Sequence, residues 1–238
     1  MESFINFRPL CSNIYTENNM IFRTGTVFRD NEEHFRIIKK YKIKYFIDFR
    51  TEKEIVTNTF LITRLEREGV KWFNYTINNY KDDKIEKNPT VNNYALYYLG
   101  ILEHGKKGIY GFFKFLSNIP NIEPIVYGCS LGKDRTGIIS YLLLNILEGR
   151  SSDIYNDYCI TKDFLLSNSQ VIQYFADKGV LDYEKRCNTD KNILKIFEKI
   201  FEKRYFSVSH YLCHIGITEA DQINIKKKWG KNNWIIYL

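Results

Sequence analysis

Residues 126–137 read VYGCSLGKDRTG, with an apolar run on either side of the polar turn. The apolar residues 124–127 before the cysteine predict a buried strand, and the run after Gly137 predicts an apolar helix that ends near Gly149. A tight turn between a strand and a helix directs several backbone N–H groups inward, and the helix N-terminus adds further unpaired donors. The stretch therefore predicts an anion-binding turn at the carboxyl end of a strand.

Cys129 and Arg135 lie at the two ends of this turn, with five residues between them. A thiolate is an anion that the inward N–H groups would stabilise, so we expect Cys129 to act as a nucleophile at neutral pH. Arg135 offers a planar fork that can hold two phosphoryl oxygens at once. Donors that grip these oxygens more tightly in the transition state than in the substrate accelerate phosphoryl transfer. The pair predicts a cysteine-dependent phosphatase.

The other residues of the turn are expected to bind the substrate, and they are Ser130, Leu131, Gly132, Lys133, Thr136 and Gly137. The glycines permit backbone turns or a close approach where a side chain would intrude. The Thr136 hydroxyl can donate a hydrogen bond to the sulfur, which helps the sulfur to leave. Two roles stay open for Lys133, whose ammonium either meets a second phosphate, as on an inositol ring, or projects into solvent at the rim of the pocket.

Hydrolysis also requires an acid that protonates the departing oxygen and a base that later activates water. We favour Asp134, inside the turn, for this role. Asp48 follows a predicted strand, where it could face the same pocket as the acid or serve as scaffold by pairing with Arg23 or Arg50.

A further place for the acid is the polar segment 78–92, which carries Asp82 and Asp83. This segment is expected to form a loop or a lid rather than core. The two aspartates belong either to a lid that carries the acid inward or, as we prefer, to a solvated turn.

Outside the turn, short apolar runs alternate with amphipathic ones. Strands are predicted at 45–49, 70–75 and 124–127, and helices at 31–42, from 51 onward, at 94–116 with a break at His104–Gly105, and after 137. The C-terminal portion predicts helices alone, around 155–167, 169–178, 188–205 and 219–229. Strands that alternate with helices form a parallel sheet covered on both faces. We therefore predict one α/β domain over residues 1–238, with a central parallel or mostly parallel sheet flanked by helices and a helical C-terminal portion.

The charge of the chain limits the classes of molecule that it is expected to bind. The 238 residues carry a formal charge of +7, which attracts polyanions such as phosphorylated ligands, anionic lipids and nucleic acid. Basic residues cluster at 39–44 and 226–228, but no zinc-finger spacing or stacking motif accompanies them. We therefore expect a solvated basic surface and no nucleic-acid partner, with transient contact with an anionic membrane left open.

The five cysteines are scattered and include no C-x-x-C pair, which argues against a disulfide framework and a structural zinc site. We expect reduced thiols, no metal and no cofactor. The N-terminus lacks a basic start with an apolar stretch, and the longest apolar run, 138–147, is shorter than the ~20 residues of a membrane span. The expected location is the cytoplasm, with non-classical secretion left open, and the oligomeric state has no signal in the sequence.

Residues 129–137 resemble the C-x-x-G-K-D-R-T-G signature of bacterial and fungal protein tyrosine phosphatases with lipid-phosphatase-like loops. Six further segments are similar to other motifs of that family. Residues 6–8 resemble its N-F-R, residues 22–25 its R-S-G and residues 47–54 its D-L-R-x-x-x-E. Residues 157–163 resemble its D-Y-x-x-S/T-N-D, and residues 207–212 and 216–218 its closing G-S-x-x-x-Y-L and G-(I/L)-(S/T). The resemblance spans almost the whole chain. It implies a cysteine-phosphatase-like fold, a role for Asp134 at the floor of the pocket, and acceptance of phosphoinositides as well as phosphotyrosine.

Two positions depart from the family's pattern. Gly128 stands where the family usually has a histidine that helps to order the loop, and residues 9–12 read PLCS where the family continues D-L-G-G. The preferred function is a protein-tyrosine phosphatase that hydrolyses phosphomonoesters through a phosphocysteine intermediate. A phosphoinositide or dual-specificity phosphatase, suggested by Lys133, is the alternative within catalysis. A weakly active module that recognises phosphorylated partners, suggested by Gly128, is the alternative outside it.

Overall fold

The computed structural model describes residues 4–11, 20–26, 32–56, 59–78, 85 and 87–230. Within these residues, five strands form one sheet in the order β1-β2-β5-β3-β4. The strands are β1 (Arg8–Pro9), β2 (Ile21–Gly25), β3 (Tyr45–Asp48), β4 (Lys71–Asn74) and β5 (Ile125–Cys129). β2 to β5 run parallel, while β1 pairs antiparallel with β2 at one edge. The predicted mostly parallel sheet is confirmed.

The carboxyl ends of three strands meet at the cysteine. Gly25 of β2 pairs with Cys129 of β5, and Asp48 of β3 pairs with Gly128 of the same strand. The central strand β5 is buried along its whole length because it lies between two parallel neighbours and beneath helices on both faces. The open end of such a sheet, beyond the carboxyl ends of its strands, is where ligands bind in α/β folds.

Helices flank the sheet, as predicted. In the described part of the chain they are α1 (Glu32–Lys40), α2 (Glu52–Ile55), α3 (Phe60–Arg67), α4 (Val91–His104), α5 (Lys106–Asn118), α6 (Asp134–Ile146), α7 (Ser151–Cys159), α8 (Thr161–Leu166), α9 (Ser169–Asp177), α10 (Tyr183–Arg186), α11 (Lys191–Tyr205), α12 (Val208–His214) and α13 (Glu219–Trp229). The break at His104–Gly105 and the helical C-terminal portion agree with the sequence prediction.

The sheet separates two apolar cores, one on each of its faces. On one face, Leu61 of α3 packs in a cluster with Phe46 and Val126. On the other face, Phe112 of α5 lies against Tyr127, with ring centroids 5.3 Å apart. Because successive side chains of a strand point to opposite faces, Val126 and Tyr127 belong to different cores. Both faces of β5 are therefore fixed, and so is the start of the turn that follows it.

Two differences from the predicted elements bear on the site. The helix after the turn begins at Asp134 rather than after Gly137, so Asp134, Arg135 and Thr136 form its first turn. β2 was not predicted because its Arg23 and Thr24 break the apolar pattern of a buried strand. Both side chains are nevertheless fully buried, because hydrogen bonds satisfy them there.

Parts of the predicted polar segment, including Asp82 and Asp83, lie outside the described residues. Within the described part of the chain, no helix is both long enough and apolar enough to cross a bilayer. The short helices α10 and α12 were also not predicted, because each spans two turns or fewer and carries little periodic signal.

Candidate active site

The signature loop, defined here as residues 129–135, joins the carboxyl end of β5 to the first turn of α6. Its carbonyl oxygens are held from outside the loop. The backbone N–H of Thr26 donates to the oxygens of Cys129 and Ser130, each at 2.9 Å. The amide of Asn6 donates to the oxygens of Leu131 (3.4 Å) and Gly132 (2.8 Å).

These bonds determine which way the loop's N–H groups point. In a planar trans peptide, the N–H of one residue points opposite to the carbonyl of the residue before it. Four consecutive carbonyls turned toward Thr26 and Asn6 therefore direct the N–H groups of residues 130–133 to the other side. Among the described residues, no hydrogen bond uses these four N–H groups. The first turn of α6 adds its own donors, since Lys133 at the N-cap makes no side-chain capping bond.

Glycine is required at three positions beside this ring of N–H groups, and at the first, Gly25, a Cβ would lie 2.7 Å from the carbonyl carbon of Leu131. Gly132 has φ +67°, and a Cβ there would lie 2.6 Å from backbone atoms of Thr24 and Gly25. A Cβ at Gly128 would lie 2.8 Å from Cγ2 of its register partner Thr24, and closer still to the Thr24 carbonyl oxygen. No side chain fits at position 128 with this strand spacing.

Gly137 behaves differently from what the sequence suggested. A Cβ there would approach the Tyr158 ring at 3.6 Å, which is an ordinary van der Waals contact. Because Gly137 lies inside α6, it makes neither a turn nor a close approach. The expectation that this position needs glycine was wrong.

Cys129 ends β5 with only 3% of its surface exposed. The hydroxyl of Thr136 donates to its sulfur over 3.1 Å. This contact arises because α6 begins at Asp134, which brings Thr136 of the first helical turn back over the end of the strand.

Arg135 is buried beside the cysteine and is bound by Glu54. Its Nη1 and Nη2 donate to the two Glu54 carboxylate oxygens at 2.8 and 2.6 Å, and Nη2 also donates to Ser130 Oγ at 3.2 Å. Burial opposes the charge of Arg135, but Glu54 and then the Cys129 sulfur outweigh burial and raise its pKa above the ordinary value. The guanidinium is therefore held as a cation next to the sulfur.

Glu54 is the functional residue that the sequence reasoning missed. Burial would raise its pKa, but hydrogen bonds from Arg135 and Ser130 lower the pKa well below its usual range. The side chain also forms a capping box with Thr51 at the start of α2, which fixes its approach to the loop. Two signals were present, because Glu54 closes the family-like segment 47–54 and stands three residues after a threonine.

Asp48 fits the scaffold role rather than that of the acid. Only 1% of its surface is exposed, and both of its carboxylate oxygens accept bonds from the Arg50 side chain, at 2.7 to 3.0 Å. Of the two predicted partners, Arg50 is therefore the one that pairs with it. Asp48 therefore orders both the backbone and the side chain of Arg50 just after β3.

Lys133 occupies neither of its two predicted places. Its side chain is 2% exposed, and Nζ donates to the carbonyl oxygen of Arg186 at 2.7 Å while lying 4.0 Å from the centroid of the Tyr94 ring. The ammonium is thus neither in solvent at the rim nor directed at a second phosphate. Asp134, one residue on, retains 25% exposure of its side chain. Its Oδ1 accepts a hydrogen bond from the Tyr98 hydroxyl and forms an ion pair with the Lys133 ammonium at 3.2 Å.

A buried charged cluster supports the loop from below. Arg23 pairs with Asp157 and donates to the carbonyl of Gly132 at 2.9 Å. Arg8 donates to the Asp157 backbone oxygen at 2.7 Å and to Thr161 Oγ1 at 2.9 Å. Burial and then the charge of Arg23 lower the pKa of Arg8 to about 9, although Asp157 opposes the change. Two guanidiniums share one carboxylate, which leaves positive potential beneath an anion site.

The residues of this cluster come from the segments at 6–8, 22–25 and 157–163 that resemble family motifs. Sequence comparison pointed to them without giving them a role, and their shared role is to hold the loop. None of the five cysteines is part of a disulfide, and no group of three or more His, Cys, Asp and Glu side chains among the described residues is placed to hold a metal ion.

Comparison with known proteins identifies one matching family. A sequence model described as "Tyrosine phosphatase family" matches residues 1–230. None of the curated proteins matches the chain. The solved catalytic core of Siw14 is 15% identical, with a TM-score of 0.43, and the match covers 74% of this chain and 93% of that one. The core catalytic domain of the PP-IP phosphatase SIW14 from S. cerevisiae, in complex with citrate, is also 15% identical, with a TM-score of 0.42 and coverage of 83% and 91%.

Proposed function

The chain belongs to the tyrosine phosphatase family and is a cysteine-based phosphatase, and we propose that it hydrolyses phosphotyrosine through a phosphocysteine on Cys129. One observation carries this proposal. Four consecutive carbonyls of the signature loop are turned outward, which leaves a ring of N–H groups for the phosphoryl oxygens next to the sulfur. Arg135 completes the ring with a cation.

In the first step, the Cys129 sulfur attacks phosphorus, so that an S–P bond forms while the bond from phosphorus to the tyrosine oxygen breaks. Asp134 gives its proton to the departing oxygen, and the product is neutral tyrosine. The loop N–H groups and Arg135 hold the three non-bridging oxygens as charge spreads over them.

In the second step, water attacks the phosphocysteine. A P–O bond forms, the S–P bond breaks, and the water proton passes to the Asp134 carboxylate, which restores the acid. The Thr136 hydroxyl donates to the sulfur at 3.1 Å and stabilises it as the thiolate leaves. Ser130, Leu131, Gly132 and Lys133 contribute through the backbone N–H groups of the loop, whereas the Gly137 N–H donates to the Lys133 carbonyl within α6.

Phosphotyrosine is preferred over phosphoinositides because of Lys133. The argument for a polyphosphorylated ring rested on a free ammonium in the loop, and that ammonium is buried against Arg186 and Tyr94. A flat aromatic ester needs only one phosphate site. The alternative of a weakly active binding module, suggested by Gly128, is separated from the phosphatase by measuring turnover of the unmodified protein.

A substrate panel with a nucleophile variant tests the proposal. The unmodified protein should release phosphate from a phosphotyrosine peptide faster than from vesicles that contain phosphoinositides. Cys129→Ser should abolish release from both, while it retains binding of the phosphopeptide. Cys213→Ser, at an exposed cysteine in α12, is the matched control and should keep full activity.

Two results would contradict the proposal. Full activity of Cys129→Ser would refute the mechanism, and a faster rate on the vesicles would refute the substrate class while it left the mechanism standing. Tight phosphopeptide binding by the unmodified protein with no turnover would instead favour the binding module.

A further inference from the structure

Asp134 is held at one oxygen only. Tyr98 of α4 donates its hydroxyl proton to Asp134 Oδ1 over 3.1 Å, and the ammonium of Lys133 lies 3.2 Å from the same atom. No hydrogen bond among the described residues uses Oδ2. Tyr98 and Lys133 are both buried, whereas 25% of the Asp134 side chain is exposed. The held oxygen therefore faces the protein, and the exposed part of the carboxyl faces away from it.

We propose that Tyr98 and Lys133 are positioning residues that hold Asp134 so that Oδ2 carries the catalytic proton. This inference rests on the proposed role of Asp134 as the acid. An oxygen that already accepts one hydrogen bond and faces an ammonium at 3.2 Å is a poor site for a proton, so the proton of the neutral acid resides on Oδ2. When that proton moves to the leaving oxygen, the two donors at Oδ1 stabilise the carboxylate that forms.

The position of the Tyr98 hydroxyl is set by packing and not by Asp134. The side chain is fully buried, and its ring makes edge contacts with Tyr158 and Phe197, with centroids 6.1 and 6.2 Å away. The Tyr158 hydroxyl lies 2.8 Å from that of Tyr98. Because Tyr98 gives its only hydroxyl proton to Asp134, Tyr158 is the donor in this second bond. Because its ring is packed and its oxygen is bonded to Tyr158, the Tyr98 hydroxyl holds the Asp134 carboxyl in one orientation.

Lys133 adds a positive charge at the same oxygen. Its ammonium is tied to the Arg186 carbonyl at the end of α10 and lies over the Tyr94 ring. The acid is thus held between a helix that covers the sheet and the C-terminal helical portion. This arrangement gives Lys133 a function in the loop that does not require it to touch the substrate.

The test compares two leaving groups in one enzyme. Nitrophenolate leaves without protonation, whereas phenolate depends on the acid, so the ratio of kcat/KM for 4-nitrophenyl phosphate to kcat/KM for phenyl phosphate reports how well the acid works. A ratio is unaffected by the fraction of folded enzyme. Tyr98→Phe removes one hydroxyl and keeps the buried ring, and we expect it to raise the ratio about tenfold, as for loss of a hydrogen bond to a charged group.

Three further variants separate the outcomes. Asp134→Asn should raise the ratio more than Tyr98→Phe does, and Lys133→Met should raise it in the same direction. Tyr211→Phe removes a buried hydroxyl that donates to the Leu102 carbonyl, and it should leave the ratio within about twofold of the parent. An unchanged ratio in Tyr98→Phe beside a raised ratio in Asp134→Asn would overturn the positioning role alone. An unchanged ratio in Asp134→Asn would overturn both this role and the assignment of the acid, while phosphate release that still depends on Cys129 would leave the phosphatase mechanism intact.

Discussion

The two halves of the signature loop are held by different kinds of interaction. Residues 129–132 are bound through their carbonyl oxygens, which accept hydrogen bonds from Thr26, Asn6 and Arg23. Residues 133–135 are bound through their side chains, and their partners are Glu54, Tyr98 and the carbonyl of Arg186. The first half thus presents backbone donors, and the second half presents charges.

Because of this difference, we expect substitutions in the two halves of the loop to affect different properties of the protein. The donors of the first half are buried and have no alternative partner, so their loss leaves unsatisfied polar groups and costs folding free energy. In the second half, Glu54 and Asp134 retain 29% and 25% side-chain exposure, so a ligand can reach them. We therefore expect substitutions beneath the first half to act mainly on unfolding, and substitutions in the second half to act mainly on turnover.

The largest effect on stability is expected at Asp157, the carboxylate that Arg8 and Arg23 share beneath the first half. Asp157→Asn leaves Arg8 and Arg23 buried without a carboxylate, and breaking a buried pair in this way costs about 3–5 kcal/mol. Denaturant unfolding followed by circular dichroism measures the change. The matched control is Asp163→Asn, at an exposed position on α8, which should cost less than about 0.5 kcal/mol. Equal costs in the two variants would show that the buried cluster does not support the loop.

An intermediate effect on stability is expected from Gly128→Ala, which adds a methyl group. Its Cβ would collide with Thr24 on the neighbouring strand, and overpacking of this kind costs about 1–3 kcal/mol. At Gly137 the same substitution meets only ordinary contacts and removes a glycine from a helix, so Gly137→Ala should stabilise the protein by about 0.5–1 kcal/mol. Thermal unfolding of both variants compares them directly. If Gly128→Ala proved as stable as the parent, the strand spacing would not exclude a side chain at position 128.

The smallest effect on stability is expected in the second half, at Glu54. Glu54→Gln removes a partly exposed ion pair to Arg135, which contributes about 1 kcal/mol or less. Because the pKa of Glu54 is lowered in the folded protein, its contribution is fully present above its ordinary value of 4.5 and is lost as the pH falls below that value. The difference in unfolding free energy between parent and variant should be constant at about pH 6 and above, and should shrink in acid. A difference that grew as the pH fell would mean that the carboxylate does not stabilise Arg135.

Much of the fold could be predicted from the sequence because it follows from the pattern of apolar residues. The runs at 45–49 and 124–127 predicted β3 and β5, and the break at His104–Gly105 predicted two helices. β2 was missed because an arginine in the sequence is read as a surface residue. Its burial is understood only once its partners, Asp157 and the Gly132 carbonyl, are known. Those partners are more than a hundred residues away in the chain, beyond the reach of any local pattern.

The candidate site was predicted as far as its local spacing allowed. Cys129 and Arg135 stand out because a strand, a turn and a helix bring them together within seven residues. Lys133 was misplaced because its surroundings, Tyr94 and Arg186, come from two distant helices. Glu54 was overlooked for the same reason, since nothing near it in sequence indicates that Arg135 is its partner.

The covalent intermediate on Cys129 can be observed by mass spectrometry. Asp134→Asn should still form the S–P bond with 4-nitrophenyl phosphate, because nitrophenolate needs no acid, but it should hydrolyse the intermediate slowly because the base is missing. Acid quench during turnover should yield a peptide with Cys129 that is heavier by one phosphoryl group, and the double variant with Cys129→Ser should lack it. An unmodified Cys129 peptide while phosphate release continues would contradict the mechanism.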